Sequence, residues 1–146
     1  MKNITLAIGS DHRGFLLKNF LLQQGHFENY TITWIDYGCT SLERTDYPIY
    51  AKKVCEAIIS QTADLGILLC GNGVGMTIAA NRYKKIYAAL VWNSLIAVTS
   101  KEDDNSNIIC MPSDYITEHE ACTIIHAWLN ASFKQGRYLE RLKLID

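Results

Sequence analysis

The sequence has no run of apolar residues near the ~18 that a bilayer-spanning helix needs, so a membrane partner is not expected. It has no strongly basic half and no stripe of aromatic and basic residues, so nucleic acid is not expected either. It has almost no net charge, −1, so a tightly held anion would need a local positive site rather than a field from the whole surface. No two cysteines form a Cys-x-x-Cys pair and no Cys or His falls at ligand spacing, which argues against a zinc site. There is no internal repeat, low-complexity tract or linker. No signal peptide is expected at the N-terminus, because Met1 to Ile8 reads as a short strand-like run that soon meets Asp11 and His12.

What is present fits one globular domain over residues 1–146. About half of the residues are apolar and a fifth charged, enough to bury a core without disulfides or metal. The five cysteines are Cys39, Cys55, Cys70, Cys110 and Cys122. An odd, unpaired set reads as reduced thiols in a cytoplasmic protein.

Strand-like and helix-like segments alternate along the chain. Ile4 to Gly9, Thr31 to Asp36, Leu65 to Cys70, Ile86 to Val91 and Asn107 to Met111 read as five strands. Helices are predicted over Gly14 to Gln24, Tyr47 to Ile59, Val74 to Asn81, Asn93 to Lys101, Thr117 to Asn130 and Arg137 to Leu144. Thr117 with Glu120 three residues on forms a capping-box pattern. Short apolar strands separated by helices imply a parallel sheet covered on both faces. The expected fold is therefore α/β: a doubly wound, three-layer Rossmann-like domain with a five-stranded parallel sheet. Ligands in such folds bind beyond the carboxyl ends of the strands. That rule selects Ser10 to Arg13, Tyr37 to Asp46, Cys70 to Gly75 and the stretch after Val91.

Cys70-Gly71-Asn72-Gly73-Val74-Gly75 is the most informative of these. Its glycines allow a backbone to approach a ligand, and the helix start offers outward N–H groups for an anion or oxyanion. A tight strand–helix turn without a ligand accounts for the glycines equally well. The spacing fits neither a dinucleotide fingerprint nor a Walker loop. Cys55, Cys122 and Cys110 read as buried small hydrophobes. Cys70 differs in adjoining a helix start, which favours the thiolate and suits a nucleophile or general base. Asp11-His12 could cap the helix beginning near Gly14, or could bind sugar hydroxyls and an anion. Arg137 and Arg141, spaced i, i+4, project from one helix face; such a pair is either a solvated surface or a fork that matches phosphate.

Together these motifs resemble ribose-5-phosphate isomerase type B, with the galactose-6-phosphate isomerase subunits as relatives. The resemblance spans nearly the whole chain. It rests on Gly9-Ser10-Asp11-His12 with Gly14-Phe15 and Lys18, on Asp36-Tyr37-Gly38, and on Glu43 through Pro48. It continues through Cys70 to Gly75 with Ala79-Ala80-Asn81, and ends at Ala127-Trp128-Leu129 and Gly136 through Arg141. It implies interconversion of an aldose phosphate and a ketose phosphate through a cis-enediolate, with no metal or other cofactor. Cys70 matches the general base, and the Gly71 to Gly75 backbone the oxyanion site. Some members use a glutamate where this chain has Met76, so the chain is similar to the cysteine type. Asn72 stands where Thr or Ser is usual. Asp11 and His12 match substrate contacts, and Arg137 and Arg141 match phosphate ligands. The resemblance also implies a homodimer with sites at the interface.

The family carries a His-Asn pair ahead of its fifth strand. Here Asp103 stands at the ring-opening His and Asp104 at the substrate-binding Asn, while Asp114 replaces an Arg near the phosphate. An ordinary Asp is ionised where His exchanges protons, so Asp103 could act as a base but not readily as an acid. Three carboxylates around a dianion should weaken its binding. Two further readings follow from them: an isomerase of another sugar or hexose phosphate, and a sugar-phosphate-binding paralogue without turnover.

Overall fold

The computed structural model covers residues 1–146 and contains six strands and six α-helices. In chain order they are β1 (Lys2–Ser10), α1 (Phe15–Leu22), β2 (His26–Phe27), β3 (Tyr30–Asp36), α2 (Tyr47–Ile59), β4 (Leu65–Cys70) and α3 (Val74–Ala80). There follow β5 (Ala88–Leu90), α4 (Ser94–Asp104), β6 (Ile108–Pro112), α5 (Glu118–Asn130) and α6 (Arg137–Ile145). One sheet has the order β2-β3-β1-β4-β6-β5. All neighbours are parallel except β2 and β3. The sheet is therefore mostly parallel and six-stranded, not five-stranded. The extra strand is a two-residue piece folded back on β3 through a turn in which Glu28 takes a positive φ. Two residues carry no periodicity, so this edge leaves no hydrophobic signature.

The strands alternate their side chains between two cores. Leu6, Ile8, Ile67, Leu69, Ile109 and Met111 face α1, α4 and α5, around fully buried Trp128. Ala7, Leu68, Cys70, Ile108 and Cys110 face α2 and α3. Burial on both faces is why these strands read as continuous apolar runs. Trp128 Nε1 donates to Ser106 Oγ at 2.9 Å, and Ser106 pairs with Ser100 at 2.8 Å, so the polar atoms inside this core are satisfied. Thr117 and Glu120 form the predicted capping box that starts α5.

Two bounds differ from the sequence reading in ways that matter. β5 is shorter than Ile86 to Val91, because Tyr87 N–H is taken by the Asn107 side chain. α4 runs on past Lys101 to Asp104 and stops only where Asn105 takes a left-handed conformation. Asp103 and Asp104 therefore lie in the last helical turn rather than in a loop. The chain changes direction across the sheet between β1 and β4, so the crevice beyond their carboxyl ends is the switch point of the fold.

Candidate active site

Asp11 follows β1 and Cys70 ends β4, so both flank the switch point. Backbone bonds lace the loops there together. Asp11 N–H donates to Leu69 O, Ser113 N–H to Cys70 O at 2.9 Å, and Asp114 N–H to Gly71 O at 3.0 Å. His12 Nδ1 accepts from Thr45 N–H at 3.2 Å, which brings in the loop after β3. Lys18 is buried and donates to Asp36 Oδ2 at 2.7 Å, so it braces this edge with its charge already matched. The Asp11 carboxylate accepts from the N–H groups of Arg13 and Gly14 at the 3-10 turn. Asp11 is thus a cap; Oδ1 does that work, and Oδ2 makes no protein hydrogen bond.

Cys70 is buried on the α2–α3 side of the sheet, with Gly71 to Gly75 passing beside it into α3. Gly73 has φ of 76°, and a Cβ there would come 2.5 Å from Leu90, so glycine is required twice over. The N–H groups of Gly71, Asn72, Gly73 and Gly75 donate to no acceptor in the protein. Val74 N–H does not belong to that open set. Asn72 Oδ1 accepts from it at 3.0 Å, an Asx-type turn that consumes one predicted oxyanion donor. Met76 is fully buried, so the side chain at that position points into the core and not at the loop. Cys55 and Cys110 are buried as predicted, and burial pushes both thiols up to about 12. Cys122 is only partly buried, because it lies on the flank of α5, although its pKa moves in the same direction.

Arg13 and Tyr47 have no role in the sequence reading, and the loop after β6 enters it only through Asp114. Arg13 lies flat against Gly71, so that a Cβ on Gly71 would stand 2.6 Å from both Nε and Nη1. Its other end pairs with Asp114. The Tyr47 ring covers Gly75. The loop after β6, carrying Ser113 and Asp114, belongs to this edge, and the strand-end rule applied to the fifth predicted strand would have found it. Asp114 was expected to repel an anion; its charge is instead matched by Arg13.

Asp103, Asp104, Arg137 and Arg141 are not here. α4 starts after β5 and runs back, ending ahead of β6, so its last turn lies at the amino ends of the strands. The separation from Cys70 is about the length of a six-residue strand, ~20 Å. Asp103 Oδ1 lies 3.0 Å from Lys134 Nζ. Lys134, Arg137 and Arg141 gather around the Tyr138 ring, at 5.2, 5.1 and 5.4 Å from its centre. The bond from Arg137 lowers the Tyr138 pKa. Burial raises that of Asp104, as does neighbouring Asp103, with Arg141 opposing. Asp103 matches Lys134, which leaves the two guanidinium groups on the ring with no facing carboxylate as close, and their mutual repulsion is a cost that an anion placed between them would relieve. One chain thus holds half of the predicted site at each end of its sheet. A groove of about 760 Å³ runs along α2 beside Lys53, Glu56 and Ser60 and reaches Tyr37, but none of the predicted site residues lines it.

Comparison with known proteins gives a consistent picture. Residues 6–145 match the profile of the ribose/galactose isomerase family. The chain is 37% identical over 140 residues to ribose-5-phosphate isomerase B of Escherichia coli, covering 96% of this chain and 93% of that one. It superposes with a TM-score of 0.88 on the crystal structure of a ribose 5-phosphate isomerase from Thermotoga maritima, at 41% identity, over 98% and 97% of the two chains. It is also similar to ribose-5-phosphate isomerase B from Mycoplasma genitalium, solved with bound ribulose-5-phosphate. There the TM-score is 0.89 and the identity 33%, over 99% and 95% of the chains.

Proposed function

The chain belongs to the ribose/galactose isomerase family, and on that premise we propose that it interconverts ribose 5-phosphate and ribulose 5-phosphate. The observation that carries this reading is Cys70 at the end of β4, directly ahead of a turn whose N–H groups are open. In the open-chain aldose the Cys70 thiolate takes the proton from C2. The C2 electron pair moves into the C1–C2 bond and charge passes to O1. Return of the proton from sulfur to C1, with the O2 proton passing to O1, yields the ketose. The N–H groups of Gly71, Asn72, Gly73 and Gly75 stabilise the enediolate oxygens, the kind of preorganised term that dominates such steps. Asp11, through Oδ2, and His12 bind the sugar at the same edge.

The remaining groups reach the site from a second copy of the chain. Arg137 and Arg141 hold the phosphate, Asp104 binds the sugar, and Asp103 assists ring opening as a base. The separation of these residues from Cys70 within one chain supports a homodimer with shared sites. The acidic positions that favoured another substrate or a silent paralogue lose force, because Asp103 and Asp114 each have a cation beside them. Incubation of the protein with each pentose phosphate, with the other measured as product, tests the reading. Folded protein without turnover in either direction rejects it.

A further inference from the structure

We propose that Arg13 is the phosphate ligand of the Cys70 edge, and that Asp114 is the residue that positions it. The inference rests on the sugar-phosphate reading above and adds a residue to it.

The guanidinium is held from two sides. Its plane lies close over Gly71, where an added Cβ would clash with Cζ, so a side chain at that position would displace the guanidinium from this seat. One Nη2 contact goes to Asp114, on the loop after β6. Asp114 is itself fixed by its N–H bond to Gly71 O. The group is therefore placed against the same loop that presents the open N–H donors, although it comes from a different strand end. It remains half exposed, at 56%. A guanidinium carries five N–H donors in a planar fork, so one bond to Asp114 leaves donors free for a second anion. An ion pair as exposed as this one holds the geometry with little energy of its own, so it does not compete strongly with a dianion.

The charge requirement points the same way. A transient oxyanion is served by backbone dipoles, whereas a permanent dianion calls for a full positive charge. Lys18, the buried cation of this edge, is already tied to Asp36. Arg137 and Arg141 lie at the other end of the sheet. Arg13 adds a full positive charge from the chain's own strand ends, beside Gly71 and alongside the arginines that a second copy brings, and it lines a groove of about 650 Å³ together with Ser113, Asp114 and Glu118.

The test is steady-state kinetics on ribose 5-phosphate with inorganic phosphate as a competing anion, for the wild type, Arg13→Ala, Arg13→Lys, Asp114→Ala and the double variant, with melting temperatures alongside. Arg13→Ala is expected to raise KM at least tenfold with kcat nearly kept, and to weaken inorganic phosphate in parallel. Arg13→Lys recovers part of the loss, since lysine keeps the charge without the fork. Asp114→Ala raises KM in the wild-type background. In the Arg13→Ala background it lowers KM, because the carboxylate then has no cation to hold and only repels. Unchanged KM and phosphate inhibition in Arg13→Ala overturn the proposal, as does a fall in kcat at constant KM, which would place Arg13 on the reacting oxygens. If the wild type fails to turn over ribose 5-phosphate, calorimetric titration with inorganic phosphate still decides: binding lost in Arg13→Ala supports the assignment, and binding retained, or absent from the wild type, overturns it.

Discussion

Lys134 Nζ lies 3.0 Å from Asp103 Oδ1, joining the segment ahead of α6 to the last turn of α4. The bond to Asp103 raises the Lys134 pKa. It also sets the Asp103 carboxylate beside the cations around Tyr138, where a dianion would otherwise meet it as an isolated negative charge.

If Asp103 works in the reaction, its partner matters for turnover more than for folding. Both side chains are partly exposed, so Lys134→Ala should leave the urea midpoint nearly unchanged. The same variant should lower kcat/KM severalfold. Asp103→Ala should lower it further, and the double variant should be no worse than Asp103→Ala, because the two act as one unit. Urea unfolding and steady-state assays check this. Additive losses would separate Lys134 from Asp103.

Two thiols face α2 and α3 from adjacent strands, but only Cys70 stands at the sheet edge; Cys110 lies two residues inside β6. Cys70→Ala should therefore cost about 10²- to 10⁴-fold in kcat, the usual worth of a general base, with the fold retained. Cys110→Ala should lose stability and keep its turnover per folded molecule. Circular dichroism melts with isomerase assays distinguish the two outcomes, and near-normal turnover in Cys70→Ala would remove it from the mechanism.

The strands were legible because burial on both faces removes alternation and leaves runs such as Leu65 to Cys70. α5 was legible because its cap is written locally in Thr117 and Glu120. The two-residue β2 was not, since its pairing with β3 depends on a turn at Glu28 that no pattern announces. The extension of α4 was missed because its end is set by Asn105, and Lys-Glu-Asp-Asp reads as helix or loop alike. At the site, Cys70 and Asp11 sit at strand ends, which the fold class locates. Arg13 and Asp114 are 101 positions apart in sequence, and only tertiary structure makes them partners.

Alkaline pH offers a test of the buried core. Burial pushes the Cys110 thiol from 9.0 to about 12. The unfolded chain then releases this proton before the folded one. Stability is fully present below about pH 9 and falls as pH rises toward 12. At about pH 10.5 this one thiol should account for a loss on the order of 2 kcal/mol relative to neutral pH. Cys55 adds to the slope in the same direction. Urea unfolding at neutral and alkaline pH measures it. Cys110→Ala should be less stable throughout but show a shallower decline, whereas an identical slope would show that this thiol does not set the alkaline limit.

The distance between the two halves of the site gives the most direct test of shared assembly. Cys70 and Arg13 lie beyond the carboxyl ends of the strands, while Arg137 and Arg141 lie on α6 at the other end. A single chain cannot place both on one small sugar phosphate. Cys70→Ala alone and the Arg137→Ala/Arg141→Ala double variant alone should each be inactive. In a mixed dimer, one of the two sites takes its thiol from the second variant and its arginines from the first, and so is whole. Equal amounts of the two, unfolded and refolded together, should form half mixed dimers with one whole site in each. About a quarter of the wild-type activity should then return, as isologous pairing requires. Recovery that scales with the product of the two concentrations, and is absent when the proteins are mixed without exchange, identifies the second chain as its source. No recovery, with mixed dimers demonstrated by tagged subunits, would place both halves of each site in one chain by a rearrangement of α6.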